Sequence, residues 1–419
     1  MSSRNSHLGD PPGLWPALRT PSFTILFAGM AVSALGDGMS WVAISWLAID
    51  LAHGRDTGLL VGAAVAAYTL PGVVAGIGLG GLLSRFDPRL LILLDAVLRM
   101  VCLGLVAVAA WLGILAPAAY LVLLAASSLF ALLGLTGELT AVVEMLPPAQ
   151  HAAGNSLLTV ASFATSIAGP GLAGGLILLA GPGPAIGADA ASYAALTVAV
   201  LVSRRMLRPS PVRDPHRSVP QALRSLRRHP AVLGITLLSL VFFGIYGPVE
   251  VALPVYVAQS LRAGPGLLGG YFTLFAVGAT AGALGATSLQ RFGLWRVAIV
   301  VMVGWGLCLV PFGLVNSALV GFVALGVGGL IYGPFVPLKR TIIQRYSPRG
   351  SLTALAAASG LVTLPASPIG TALGGPIVAV LGPRSTLLAS GLATILAAAV
   401  AAAVLTRRQA RARQTDLGA

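Results

Sequence analysis

The sequence predicts an all-α polytopic membrane protein with twelve transmembrane helices in two pseudo-symmetric six-helix bundles. Three observations carry that prediction. Of 419 residues, 57% are hydrophobic and only 9% charged, with a mean hydropathy of +0.91. A water-soluble fold does not need so much apolar surface, because about half its residues face solvent. Apolar runs of roughly 20 residues recur along the chain, long enough to cross a hydrocarbon core of ~30 Å. The basic residues fall mainly on one side of the resulting topology. Of 26 Lys and Arg, only Arg55, Arg262 and Arg384 fall in loops on the opposite side, and Arg99 lies within a span. That asymmetry follows the positive-inside rule and places both termini in the cytoplasm. The formal charge of +14 is therefore topological, with membrane lipid headgroups rather than nucleic acid as its partner.

In chain order, a polar N-terminal tail (1–22) lacks the apolar stretch of a signal peptide. Apolar runs then place spans at 23–49, 59–83, 90–112, 118–146, 153–180 and 184–202, which make a first bundle over 23–203. A basic, proline-containing linker follows at 204–231, where "VPQALRSLRRHP" reads as a short basic helix lying along the headgroups. The second bundle, 232–405, has spans at 232–257, 267–289, 297–315, 318–346, 352–380 and 385–405, and a basic tail (406–419) closes the chain. The 52 Gly and 28 Pro suit membrane helices, where both are commoner than in soluble ones. Cys102 and Cys308 fall inside spans and read as packing residues, so no disulfide framework is expected.

The halves echo one another in order. "LSRF" at 83–86 recurs as "LQRF" at 289–292, and "EMLPP" after the fourth span as "QRYSP" after the tenth. "GPGLAGG" at 169–175 is echoed by "SPIGTALGG" at 367–375, each followed by a Gly-Pro turn, "LAGPGP" and "VLGPRS". A six-plus-six repeat across a linker is the plan of secondary transporters, with a pathway between the halves.

Charges inside the spans are expensive. An ionised Asp at mid-membrane costs about 2.5–3.5 kcal/mol on insertion scales, and such groups mark function. Asp37, in "ALGDGMSW", lies near the middle of the first span. Ser33, Asp37 and Ser40 follow helical spacing with Trp41 beside them. Asp37 thus reads as a proton- or cation-binding group, or as a structural hydrogen bond or helix cap against Gly38. Ser239, Phe243, Tyr246 and Glu250 make a stripe on the seventh span, and Ser127, Ala131, Gly134 and Glu138 one on the fourth. Trp41, Phe243 and Tyr246 offer an aromatic wall to a bulky ligand, or simple packing. Lys339, the chain's one lysine, is either functional or an interfacial residue that snorkels. Asp95 and Arg99 are four residues apart on the third span and are expected to neutralise each other. Asp189 lies on the sixth span. No histidine lies deep in a span, and no metal cluster, nucleophile motif or phosphate-binding loop stands out, so neither metal, cofactor nor enzymatic chemistry is expected.

"GDGMSWVAISWLAIDL", "GGLLSRFDPRLLILLD", "EMLPPAQHAAGNSLL", "GPGLAGG" and "LRSLRRHPAVLG", in this order, resemble the major facilitator superfamily. Within it they resemble the branch that holds macrolide-efflux and enterobactin-exporter proteins. The resemblance implies that the first, fourth, seventh and tenth spans line a central cavity, which brings Asp37, Glu138, Glu250 and Lys339 to it. "GGLLSRFDPRLL" resembles the family's turn between the second and third spans. There Gly80 and Gly81 would let helices approach, and Arg85 and Arg89 would pair at a gate or be merely topological. Ser84 replaces the usual acidic residue, with Asp87 or Asp95 as substitutes. "GPGLAGG" resembles the antiporter motif of the fifth span, where Pro170 bends the helix and Gly169, Gly174 and Gly175 admit a neighbour. The fourth-span arginine common in proton antiporters is absent. The resemblance implies a monomeric inner-membrane (plasma-membrane) carrier of a small molecule. Three functions remain open: proton-coupled export of a bulky amphipathic compound such as a drug or siderophore, uptake by the same fold, and a membrane partner subunit without transport.

Overall fold

The computed structural model describes residues 14–52, 56–83, 86–203, 219–348 and 350–417. Among them are twelve helical segments long and apolar enough to cross a membrane, and no strand. The first half holds Pro21–Leu51, Thr57–Gly78, Pro88–Trp111, Pro117–Met145, Pro148–Ala180 and Pro182–Val202. The second half holds Pro230–Ser260, Pro265–Phe292, Leu294–Leu314, Ala318–Tyr346, Leu352–Leu381 and Pro383–Arg407. An even number of crossings returns the chain to the side it started from. That side is called the termini end below, and the other the far end.

Several spans begin two residues before the starts read from the sequence, at Pro88, Pro182, Pro230, Pro265 and Pro383. Proline suits the first helical position, because the N–H it lacks has no partner there and its fixed φ is already helical. The final helix runs on past its span to Leu417, through most of the expected tail. Three spans break near mid-membrane. The fourth divides into Pro117–Ser127 and Ala131–Met145, where the Ser127 and Ser128 hydroxyls donate to Leu124 O and Ala125 O and compete with the ladder. The tenth divides at Gly333-Pro334 and the eleventh at Leu364-Pro365, where the proline lacks a helical donor. The short helix Val219–Arg227 precedes the seventh span and packs on the first segment of the eleventh, Leu352–Thr363, with Leu226 buried.

The internal repeat is visible in the backbone. Gly181 and Gly382 end the fifth and eleventh spans at φ +86° and +78°, a left-handed conformation open to glycine, and each N–H closes the helix on a carbonyl four residues back. In each half, one helix then bridges to the other half. The fifth span packs on the eighth, and the eleventh on the second. A Cβ on Gly174 would lie 2.9 Å from Pro265 O, and one on Gly62 would lie 2.6 Å from Gly375 Cα, so these crossings are backbone against backbone. Thr273 Oγ1 adds a hydrogen bond to Ile167 O (2.9 Å).

These contacts occupy the far-end portions of their helices. Toward the termini end, the fifth span exposes Asn155, Thr159, Ser162 and Ser166 on one face. A polar stripe of that kind suits a water-filled cleft rather than lipid. The halves are therefore joined at the far end and parted toward the termini end.

Candidate functional site

The third span explains how a charge can sit at mid-membrane. Its buried face, at helical spacing, is Leu91, Ile92, Asp95, Ala96, Arg99, Cys102, Leu103 and Val106, while Leu94, Val97, Val101, Leu105 and Val108 are exposed. Arg99 thus points into the bundle rather than at lipid. Its Nε donates to Asp95 Oδ1 at 3.1 Å, as their spacing predicts. Its Nη1 reaches across to Asp37 Oδ1 (3.1 Å) and to Tyr68 Oη (2.9 Å). The Tyr68 and Tyr193 rings lie 5.4 and 5.2 Å from the guanidinium carbon, which gives the cation two aromatic faces.

Asp37 is the open side of this cluster. Tyr68 Oη (3.0 Å), Tyr193 Oη (2.7 Å) and Arg99 Nη1 all donate to its Oδ1. Among the described residues none of these donors reaches Oδ2. The Asp37 side chain is 45% exposed while that of Arg99 is 9% exposed. A carboxylate at this depth with that exposure faces the cleft, with the guanidinium sealed behind it. The flanking glycines account for the "GDG" sequence. A Cβ on Gly36 would strike the Asp189 and Ser192 side chains of the sixth span, and one on Gly38 would lie 2.7 Å from Thr165 O of the fifth. Two helices thus press against the first span on either side of Asp37, and the helix continues unbroken. Asp37 is therefore an ion-pair partner of the third span rather than a cap on Gly38.

A third carboxylate lies close by. Asp189 is fully buried and accepts from the Ser40 hydroxyl and, at 3.2 Å, from Ser192 Oγ. Among the described residues Glu138 makes no ion pair, but it lies in the field of Asp37, Asp95 and Arg99. Carboxylates thus outnumber the one guanidinium, and buried excess charge is costly unless neutralised. The arrangement can accept protons or a cationic ligand, and Asp37 is its accessible member.

The second half places a different chemistry on its seventh span. Glu250 Oε2 accepts from Thr371 Oγ1 (2.7 Å) and Ser367 Oγ (3.3 Å) of the eleventh span, with no basic side chain in ion-pair range among the described residues. Around it the rings of Tyr246, Phe275, Trp305 and Tyr332 lie 5.5–5.8 Å apart, centroid to centroid. Phe242, Phe243 and Phe335 extend the group. Lys339 sits beyond them, bonded to Thr363 Oγ1 (2.8 Å) and 5.8 Å from the Phe243 ring. Its partners are thus a hydroxyl and an aromatic face.

Several expected site residues are placed elsewhere. Ser33 and Ser40 do not share a cleft-facing stripe with Asp37: both are buried, Ser33 bonding to Met30 O and Ser40 serving Asp189. Trp41 is over a third exposed and makes none of the network's hydrogen bonds. Gly169 meets Gly38 and Gly174 meets the eighth span, but Gly175 faces open space and admits no neighbour. The fifth helix runs continuously through Pro170. Asp87 caps the third span by accepting from Arg89 N (2.9 Å), and Asp95 serves Arg99. Gly80 and Gly81 lie in the closing turns of the helix Thr57–Leu83, and Arg85 lies outside the described residues. The sequence reading missed Tyr68 and Tyr193. Each is the one tyrosine of its span, and a buried phenol in a membrane needs a partner. Among the described residues no group of His, Cys, Asp and Glu could hold a metal ion.

Comparison with known proteins agrees with this geometry. The sequence signature of the Major Facilitator Superfamily matches residues 26–363. The chain is 27% identical over 410 residues to the multidrug efflux pump Tap of Mycolicibacterium fortuitum, covering 91% of this chain and 95% of that one. It is likewise 27% identical over 406 residues to Tap of Mycobacterium tuberculosis (strain ATCC 25618 / H37Rv), covering 91% and 93%. Among solved structures, a point mutant of the peptide transporter POT superposes with TM-score 0.73 at 15% identity, over 96% of each chain. A point mutant of the nucleoside transporter NupG gives 0.70 at 12% identity, over 90% of this chain and 99% of that one. With its twelve spans and repeated halves, the chain belongs to the Major Facilitator Superfamily and is a membrane transporter, not an enzyme.

Proposed function

We propose that this transporter exports bulky amphipathic small molecules of the drug class by alternating access, driven by protons that bind at Asp37. The observation that carries the reading is the half-exposed Asp37 carboxylate with its Oδ2 outside the network, held by a buried Arg99 that Asp95 and two tyrosines also grip. A proton on Asp37 weakens its hold on Arg99 and shifts the guanidinium toward Asp95. The first, second, third and sixth spans are all tied into that bond set, so the change is felt across the bundle. One proton moving down the potential supplies about 2.3 kcal/mol per 100 mV, enough for useful accumulation. The efflux pumps among its relatives support the direction of transport.

The positive-inside asymmetry supports a plasma-membrane (inner-membrane) orientation with both termini cytoplasmic. The present conformation then opens to the cytoplasm, the side from which an exporter loads. The test is efflux from proteoliposomes under an imposed proton gradient, using a panel of fluorescent drug-like compounds. Wild-type efflux should collapse with an uncoupler, and Asp37→Asn should abolish the gradient-dependent component. Undiminished efflux by the Asn variant, or inward accumulation in right-side-out vesicles, would overturn the proposal.

A further inference from the structure

The second half carries a site that proton coupling does not use. Glu250 forms one edge of a cleft whose other walls are Tyr246, Phe272, Phe275 and Trp305. The floor is buried: Val249, Leu253, Trp305 and Leu325 are each 3% exposed or less. The rim is not, since Tyr246, Glu250, Phe272 and Phe275 are only partly buried. In this conformation the rings close to about one water's width, so an occupant enters by parting the half-buried rim.

Two polar groups of the cleft have less than they could use. Glu250 is a carboxylate whose partners among the described residues are hydroxyls alone, Thr371 and Ser367. Trp305 is 1% exposed and its indole Nε1 is buried without a hydrogen-bond partner among the described residues. An unpartnered buried N–H calls for an explanation, and a ligand acceptor is one. A carboxylate edge with aromatic walls is also the chemistry that recognises organic cations, through charge on one side and ring faces on the others. Asp37 offers the opposite case, because its cation is already in place as Arg99.

We infer that the Glu250 cleft is the substrate-selecting subsite and takes the cationic head of an aromatic, lipophilic organic cation. Proton coupling is left to the Asp37–Arg99 cluster in the other half. The inference rests on the export reading for its physiological role. Its physical content, cation binding at Glu250, does not depend on flux. Because the two groups lie in different bundles, proton and substrate act on one another through helix movement and not by sharing a carboxylate.

The experiment is equilibrium binding to the purified full-length protein in detergent, followed by quenching of tryptophan fluorescence. The probes are tetraphenylphosphonium and the uncharged triphenylphosphine oxide. Wild type should bind the cation more tightly than the neutral compound. Glu250→Gln should weaken cation binding at least ten-fold and neutral binding less than three-fold, and Glu250→Asp should restore most of the cation preference. Equal loss of both probes in Glu250→Gln, or unchanged cation binding there, would each overturn the assignment. Cation binding through Glu250 in a protein that moves no drug in vesicles would sink the export reading while leaving this site intact.

Discussion

Each half packs a glycine of its fifth or eleventh helix against its own first or seventh helix, Gly169 on Gly38 and Gly370 on Gly247. Five residues later each sends a second glycine to the opposite half, Gly174 to the eighth span and Gly375 to the second. The halves part company in their side chains. In the first, a guanidinium is enclosed by carboxylates and phenols. In the second, a carboxylate is enclosed by hydroxyls and rings. Contacts made by backbone define the architecture and are shared. Contacts made by side chains define the chemistry and differ, so a shared backbone plan does not mean a shared role.

The comparison breaks most readily at Arg99. Arg99→Met leaves Asp37, Asp95 and Asp189 facing one another without a cation. Removing one member of a buried ion pair costs about 3–5 kcal/mol, so little folded protein should survive, as read by monodispersity and thermal unfolding in detergent. Glu250→Gln keeps the Thr371 and Ser367 hydrogen bonds open to an amide and should unfold near wild type. Equal stability of the two variants would show that the halves do not differ in what holds them.

A smaller effect tests the shared feature. Gly62→Val drives a branched side chain into Gly375, an overpacking that costs roughly 1–3 kcal/mol. It should also raise labelling of far-end cysteine probes as the halves separate there. Gly175→Ala, in open space, should change stability by no more than about 0.5 kcal/mol. If the two behave alike, the far-end contact is not set by close helix approach.

The smallest effect sharpens the contrast between tyrosines. Tyr193→Phe removes a 2.7 Å hydrogen bond to Asp37 and should cost about 1 kcal/mol. Tyr332 contributes its ring and no hydroxyl bond among the described residues, so Tyr332→Phe should be close to neutral. Thermal unfolding of the two variants side by side decides it.

Twelve spans, the repeat and the Asp95–Arg99 pair were legible because each depends on spacing along the chain. The span starts were legible too, in prolines such as Pro88 and Pro230, although apolarity alone sets them two residues late. What spacing could not show was the reach of Arg99 from the third span to Asp37 on the first, 62 positions away, or the closure of Ser40 on Asp189, 149 positions away. Helical periodicity tells which residues share a face of their own helix, not which helix lies opposite. For the same reason Ser33, Asp37 and Ser40 read as one polar stripe. With the fifth and sixth spans pressed against the glycines at 36 and 38, only the carboxylate between them looks out.

The far-end joint has a further consequence. Among the described residues it includes glycine backbones, one threonine hydroxyl bond, and the Leu178 and Val378 side chains over Gly264, Gly266 and Gly58, contacts whose cohesion comes from dispersion and shape rather than charge. Contacts of that kind are indifferent to ionic strength and to proton concentration. It works as a fulcrum: the load is applied elsewhere, at the midplane charges, and the joint sets how far each half must rock before it lets go.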